Sequence, residues 1–254
     1  VDKTERINTL IELIQTKKCL SVKELSQKTF FSTSTLRRDL IYLENQGLIT
    51  RKHGQIVLNT LKTNEAAHNI RKSANRKEKK YIASIAKDFI GPGMCIYLDS
   101  STTVYEIYPY LASIENLIIF TNGLNTAQSL ADIANPTMKI FITGGEIKHF
   151  SSSVITQQFT NDLINHFKID LAICSAHGID QHFVYETSLS QAMTKKQIMD
   201  LAEETLLLID SSKFNQVGFF KINSIDNYHA IISEKLPSSD FLDSANMHDV
   251  EWLC

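Results

Sequence analysis

Cysteine is scarce in this sequence, and no two cysteines lie at metal-ligand spacing. Cys19, Cys95, Cys174 and Cys254 are scattered over 254 residues. That argues against a structural zinc site and a disulfide framework, and for a reduced, cytoplasmic protein. Long hydrophobic runs are missing too. Apolar runs such as Leu117 to Phe120 and Leu206 to Ile209 are strand-sized, far short of the ~20 apolar residues a membrane helix needs. No apolar signal region opens the chain, whose N-terminus is charged and amphipathic. A large net charge is also absent, since 26 Lys and Arg stand against 28 Asp and Glu. With 43% hydrophobic and 21% charged residues, the chain has the composition of a soluble globular protein. Its length suits one large domain, or a small one joined to a larger.

The near balance of charge conceals an asymmetry. Basic residues outnumber acidic ones ten to six in residues 1–60 and seven to two in residues 61–80, whereas residues 81–254 carry nine basic against twenty acidic. A polyanion would be drawn to the N-terminal part and repelled by the rest.

That basic part has the pattern of a DNA reader. Ile7, Leu10, Ile11 and Ile14 recur at helical spacing. Ser21 and Glu24 form a capping-box pattern ahead of a short second helix with Val22 and Leu25. After a turn at Phe30 to Ser32, a third helix begins at about Thr33, with Leu36, Leu40 and Leu43 on its inner face. Arg37, Arg38 and Tyr42 then face elsewhere. A short helix, a turn and a longer basic helix make a helix-turn-helix, whose second helix lies in the major groove. Ser32, Thr33 and Ser34 at the helix start suit a phosphate, and the Arg37 and Arg38 guanidinium forks suit base edges or phosphates. Asp39 is expected to orient an arginine. The segment after Gly47 reads as a wing of two short strands, laying Arg51, Lys52 and His53 on the sugar-phosphate backbone.

Residues 3–58 resemble the N-terminal domain of the DeoR family of bacterial transcription regulators. The resemblance rests on Ser32, Thr35, Arg37, Arg38, Asp39 and Leu40, followed by Leu43, Glu44 and the wing. The family usually has Gly-Gly-Ala after the wing histidine, where this chain has Gly54, Gln55 and Ile56. Residues 60–75 are polar and basic and read as a linker running into a helix, whose inward face is Tyr81, Ile82, Ile85, Ala86 and Phe89.

Beyond Gly91-Pro92-Gly93, strand-sized apolar runs (94–99, 117–122, 138–143, 171–176, 205–210 and 230–233) alternate with stretches long enough for crossover helices (103–112, 124–134, 154–167 and 188–204). The expected fold class is α/β, with a mostly parallel sheet covered on both faces. In such sheets ligands bind beyond the carboxyl ends of the strands. Those ends carry Asp99, Ser100, Ser101, Thr102 and Thr103, then Thr121 and Asn122, then Gly144 and Gly145, then Gly178, and last Asp210, Ser211, Ser212 and Lys213. Hydroxyls and backbone N–H groups can hold a phosphate, with Lys213 as counter-charge. Asp99 and Asn122 suit sugar hydroxyls.

Residues 76–235 also resemble the DeoR family, in its C-terminal effector domain. By that resemblance the domain has the ribose-5-phosphate isomerase and glucosamine-6-phosphate deaminase fold. The motifs at 99–103, 121–122, 144–145, Gly178 and 210–213 would then form a phosphosugar site. Lys195 lies at the family's helix lysine, with Gln191 where an acidic residue is expected nearby.

The expected organisation is a winged helix-turn-helix over 1–59, a basic linker over 60–75 and a sugar-phosphate effector domain over 76–254. The expected function is sequence-specific regulation of transcription, most simply repression of a carbohydrate-utilisation operon, with DNA affinity set by a phosphorylated sugar. Double-stranded operator DNA, that sugar and further copies of the chain are the expected partners, with no membrane, cofactor, metal or catalytic residue. One rival is a phosphosugar isomerase or deaminase fused to a DNA reader, with Asp99, Glu146 or Glu186 as its base. The other is a DNA-binding scaffold with a degenerate pocket.

Overall fold

A computed structural model describes residues 6–7, 10, 13–14, 19–29, 31–45, 49–52, 54–58, 68–147, 154–155, 164–247 and 250–254. The chain divides into two compact units, Val1–Ala74 and Asn75–Cys254.

In the smaller unit, Arg6, Ile7, Leu10, Leu13 and Ile14 are helical. Strand β1 (Cys19–Ser21) leads into helix α1 (Val22–Thr29). Helix α2 (Thr33–Asn45) follows, then strands β2 (Ile49–Lys52) and β3 (Gln55–Leu58). The expected capping box is present. The Ser21 N–H donates to Glu24 Oε2 at 2.8 Å, and the Glu24 N–H donates to Ser21 Oγ at 3.2 Å. The three strands form one antiparallel sheet in the order β1-β3-β2. Leu10, Ile14, Leu20, Leu25, Leu36, Leu40, Leu43, Ile49 and Ile56 close a single core. Of the expected first-helix face, Ile11 lies outside the described residues.

The stretch expected to be a linker holds helix in its second half. Helix α3 (His68–Ser73) precedes helix α4 (Arg76–Ala86). Residues 61–80 contain no glycine or proline and are rich in Lys, Arg, Ala and Glu, which favour helix without any apolar stripe. Of the expected inward face, Ile82 and Ala86 are buried and Ile85 and Phe89 pack against the same core, while Tyr81 departs. Lys79, Ile82, Ala83 and Ala86 are buried at i, i+3, i+4 and i+7, while Tyr81 is 48% exposed.

The larger unit is built on seven strands, all parallel, in the order β15-β14-β12-β9-β4-β5-β6. They are β4 (Cys95–Leu98), β5 (Ile118–Thr121), β6 (Lys139–Ile142), β9 (Ile169–Cys174), β12 (Ala202–Leu208), β14 (Ala230–Ile232) and β15 (Glu251–Leu253). Alternate residues serve opposite faces. Ile96, Leu98, Ile119, Leu171, Ile173, Leu206 and Leu208 pack with Ile82, Ala83 and Ala86 of α4. Tyr97, Phe120, Ala172 and Cys174 pack on the other side with Ile198, which belongs to helix α7 (Leu189–Leu201).

Three features depart from the sequence reading. The crossover after β4 is a 3-10 turn (Val104–Ile107) and a short helix α5 (Tyr108–Leu111) with proline at its start. Helix α6 (Leu124–Ile133) forms as expected, but the helix expected from Val154 does not begin there. Instead β7 (Glu146–Ile147) pairs antiparallel with β8 (Val154–Ile155), and residues 156–163 lie outside the described residues. Finally, β10 (Gly178–Ile179), β11 (Phe183–Glu186) and β13 (Phe220–Ser224) form a small antiparallel sheet that apolar run length did not reveal. Helix α8 (Ser239–Met247) precedes β15. Among the described residues no helix is long and apolar enough to cross a membrane.

Candidate functional site

The reader helix α2 is capped by the residues proposed to meet phosphate. Ser32 Oγ accepts from the Thr35 N–H at 3.2 Å and lies 3.0 Å from Ser34 Oγ and 2.9 Å from Thr35 Oγ1. Ser32, Thr33 and Ser34 are exposed and Thr35 is half-buried. On the helix body, Leu36, Leu40 and Leu43 are fully buried, which turns Arg37 and Arg38 outward to solvent. Arg38 Nε reaches only its own helix, donating to the Ser34 carbonyl at 3.4 Å. Asp39 does not hold either neighbouring arginine. It is buried and takes a fork from Arg6, with Nε to Oδ2 at 2.9 Å and Nη2 to Oδ1 at 3.3 Å. That pair ties the first helical segment to α2.

The wing is less open than its sequence implies. Arg51 Nε donates to Glu44 Oε2 at 2.8 Å, with Arg51 Nη2 on the same oxygen. The ion pair turns the wing arginine back onto α2. The arginine also holds the Glu44 carboxyl below its ordinary range. Lys52 is in strand, paired with Gln55, and Gly54 takes φ +77° to close the hairpin. His53 lies outside the described residues.

In the larger unit, β4 lies between β5 and β9 at the point where the strand order reverses, where open α/β sheets form a crevice. A buried ion cluster lies there, at the ends of β4 and β9. Asp99 Oδ1 accepts from the Ser101 N–H and Oδ2 from the Ser175 N–H, both at 2.8 Å. Lys195 Nζ, on α7, lies 3.2 Å from Asp99 Oδ2 and 2.5 Å from both Glu186 Oε1 and the Ser175 carbonyl. Burial opposes the ammonium, but the fields of Glu186 and Asp99 prevail and hold it well above the usual lysine range. Asp99 is thus already engaged within the protein. Its carboxylate fixes the loop after β4 against the end of β9. The acid missing at Gln191 is supplied from β11 by Glu186, a pairing that no local spacing shows.

The open chemistry lies on the other side of β4. Asn122 Oδ1 and Thr143 Oγ1 are buried without a hydrogen-bond partner. They follow adjacent strands, β5 and β6, where the Thr143 N–H donates to the Thr121 carbonyl at 2.9 Å. Each unmet polar group costs about 1–3 kcal/mol unless something answers it. Thr121 is itself engaged, its Oγ1 accepting from the Gly123 N–H at 3.0 Å. A Cβ on Gly123 would stand 3.1 Å from Ser100 Cα, so glycine lets the loops after β4 and β5 approach. Gly144 and Gly145 are exposed beyond β6, and a Cβ on Gly144 would meet nothing within 4 Å. Ser100 and Ser101 are half-buried, while Thr102 and Thr103 are buried. Ser101 Oγ accepts from the Val104 N–H at 3.1 Å, and Thr102 Oγ1 accepts from Lys79 Nζ at 3.1 Å.

Two expected members sit elsewhere. A Cβ on Gly178 would fall 2.1 Å from the Gln216 carbonyl oxygen, so this glycine admits a neighbouring backbone. The loop ending in Lys213 already holds carboxylates. The Ser211 N–H donates to Glu234 Oε2 at 2.9 Å, and Ser211 Oγ also bonds that carboxylate. The Ser212 N–H donates to Asp210 Oδ1 at 3.2 Å, and the Lys213 N–H to the Asp210 carbonyl at 2.9 Å. These internal acceptors take the N–H groups expected to hold phosphate. The sequence shows no local sign of Glu234, which comes from beyond β14.

Comparison with known proteins agrees with the motifs. A family model described as the DeoR-like helix-turn-helix domain matches residues 6–62, and one described as the DeoR C terminal sensor domain matches residues 74–235. The glycerol-3-phosphate regulon repressor of Escherichia coli is 30% identical over 249 residues, covering 98% of this chain and 97% of that protein. The lactose phosphotransferase system repressor of Streptococcus mutans is 30% identical over 233 residues, covering 91% and 92%. Among solved structures, a ribose-5-phosphate isomerase in complex with phospho-erythronic acid overlaps 55% of this chain and 54% of its own, at 17% identity and a TM-score of 0.40. With both domain models matched in order and a 30% identical repressor aligned along nearly its whole length, the chain belongs to the DeoR family of transcriptional regulators.

Proposed function

We propose that this regulator represses a carbohydrate-utilisation operon and that a phosphorylated sugar, bound in the larger unit, sets its affinity for the operator. The observation that carries the DNA half is the outward placement of Arg37 and Arg38 on α2, opposite a fully buried leucine face. Arg37 and Arg38 read the major groove. Ser32, Thr33, Ser34 and Thr35 meet the phosphate at the helix start, and Lys52 and His53 steady the wing. The effector half draws support from the unanswered Asn122 and Thr143 side chains. With the loop at 99–103 and Gly144 and Gly145, they surround the ends of β4, β5 and β6. A sugar hydroxyl can donate to Asn122 and accept from Thr143, while hydroxyls of the 99–103 loop meet the phosphate.

Functional boundaries follow as a reader over 1–59, a linker over 60–75 and a sensor over 76–254. The protein acts in the cytoplasm as a homo-oligomer, so that paired readers meet successive half-sites. The proposed role is regulation without turnover, and the ion pairing of Asp99 and Glu186 with Lys195 supports a structural role for two of the three acids that could serve as base. Selection of duplex DNA from a random pool, followed by a thermal-shift screen, tests the proposal. The screen uses glycerol-3-phosphate, ribose-5-phosphate, glucose-6-phosphate, fructose-6-phosphate and fructose-1-phosphate, since a ligand of the native state raises its stability. Enrichment of a common site, with a shift by a panel member that is recovered unconverted, is expected. Failure to enrich any site would sink the DNA half, and turnover would revive the enzyme.

A further inference from the structure

An effector bound at the strand ends can change DNA affinity through an element that binds those loops and also governs the chain leading to the reader. The first turn of α4 meets both conditions. Asn75 is the first residue of the larger unit, the point where the chain arrives from the reader. It is the N-cap of α4, yet its side chain makes no cap bond to its own helix, and its backbone is left-handed at φ 51° and ψ 38°. The amide reaches across instead. Asn75 Nδ2 donates to Asp210 Oδ1 at 2.9 Å and to Ser212 Oγ at 3.0 Å. Arg76, next in sequence, donates from Nε to Glu106 Oε1 at 3.2 Å, and one turn on Lys79 Nζ donates to Thr102 Oγ1. The turn is thus bonded to the loops after β4 and β12 together, with Thr102 inside the proposed effector loop.

We propose that Asn75 is the positioning residue that couples the effector site to the reader. This rests on the effector reading given above. An anion on the 99–103 loop competes for the Thr102 hydroxyl and attracts the Lys79 ammonium, so it alters a bond that helps to hold this turn at its far end. The Asn75 amide fixes the near end to Asp210 and Ser212. With both ends held, the altered bond reorients the turn, and with it the chain entering at Asn75. With the near end released, the turn frays locally and the signal stops. The coupling arises because the two arrangements of the turn differ in effector affinity.

The left-handed backbone decides which variant is informative. Asn75→Gly deletes the amide at a φ glycine tolerates, whereas alanine there would add strain of its own. Operator binding by fluorescence anisotropy and effector binding by thermal shift are read on the full chain, with and without the strongest panel sugar phosphate. We expect the effector to change wild-type operator affinity by about fivefold or more, and that of Asn75→Gly by less than about twofold, with effector affinity kept within about threefold. Hydrogen exchange should show effector-dependent protection of the first turn of α4 in wild type only. Asn75→Asp should lose coupling as well, by setting a carboxylate against Asp210. Adding Asp210→Asn should restore it by reversing the donor. A response retained in Asn75→Gly, or effector binding lost in it, overturns the coupling role. If no panel member binds the wild type, the effector reading fails first, and this inference with it.

Discussion

The Lys195 ammonium stands 3.2 Å from the Asp99 carboxylate, which binds helix α7 to the end of β4 at the centre of the sheet. Both side chains are at most 5% exposed, and Glu186 completes the cluster. Removing the single cation leaves two buried carboxylates facing each other. Lys195→Met should therefore destabilise the protein by about 3–5 kcal/mol in urea unfolding. Lys196→Met, which breaks an exposed pair with Asp200 on the same helix, should cost about 0–1 kcal/mol. Equal costs would mean that the buried cluster contributes nothing beyond a surface pair.

The reader and the wing should separate in DNA binding. Arg37→Ala and Arg38→Ala should each weaken operator binding by about 1–3 kcal/mol where they touch base edges. Where one touches phosphate instead, the salt slope of binding should fall by about one. Arg51→Ala should have the smaller effect, since Glu44 already holds that guanidinium. Anisotropy titrations over a range of salt distinguish these outcomes, and an Arg51 effect as large as that of Arg37 would contradict the wing geometry.

Thr143→Val tests the sensor without disturbing the sheet. The substitution keeps the side-chain shape and deletes a buried hydroxyl that has no partner. The free protein should be unchanged or more stable by about 1 kcal/mol, because an unmet polar group disappears. The thermal shift produced by a sugar phosphate should shrink at the same time. Stability lost with the shift retained would show that Thr143 serves the fold.

Alkaline titration offers an independent check on the core. Burial, and next the fields of Cys174 and Asp99, push the Tyr97 hydroxyl well above its ordinary value. Burial does the same at Tyr228, followed by Cys174, Glu186 and Asp99. Tyr185 is raised to about 12 by burial and by its hydrogen bond to Asp180. For groups raised on folding, the stabilisation is fully present below the unfolded value of about 10 and is lost as pH rises toward the folded one. At pH ~10.5, tyrosinate absorbance should show fewer ionised tyrosines in native than in denatured protein, with stability falling above pH ~10. Identical titration of the two states would contradict the burial of these rings.

The fold was legible wherever pattern is local. Leu36, Leu40 and Leu43 announced the inner face of α2, Ser21 and Glu24 its neighbour's cap, and the apolar runs announced six of the seven parallel strands. Contacts made across the sheet were not legible. Lys195 finds its acids on β11 and after β4, Ser211 meets Glu234, and Asn75 reaches Asp210. Residues of one loop then satisfy donors that sequence spacing assigns to a ligand. For that reason the polar strand ends were recognisable as a group, while their division into engaged and available members was not. On α4 and just beyond it, the apolar pattern finds Ile82, Ile85, Ala86 and Phe89 on the core side, but not the exposure of Tyr81 or the burial of Lys79.

The fork from Arg6 to Asp39 gives the Arg-Arg-Asp-Leu stretch two separate duties. Arg37 and Arg38 face outward, while Asp39 and Leu40 fasten the domain from within. A genetic screen for derepressed mutants would gather Arg6, Asp39 and both reader arginines into one phenotypic class. Melting curves would split that class, with the first pair failing as poorly folded protein and the second as intact protein that no longer finds its operator.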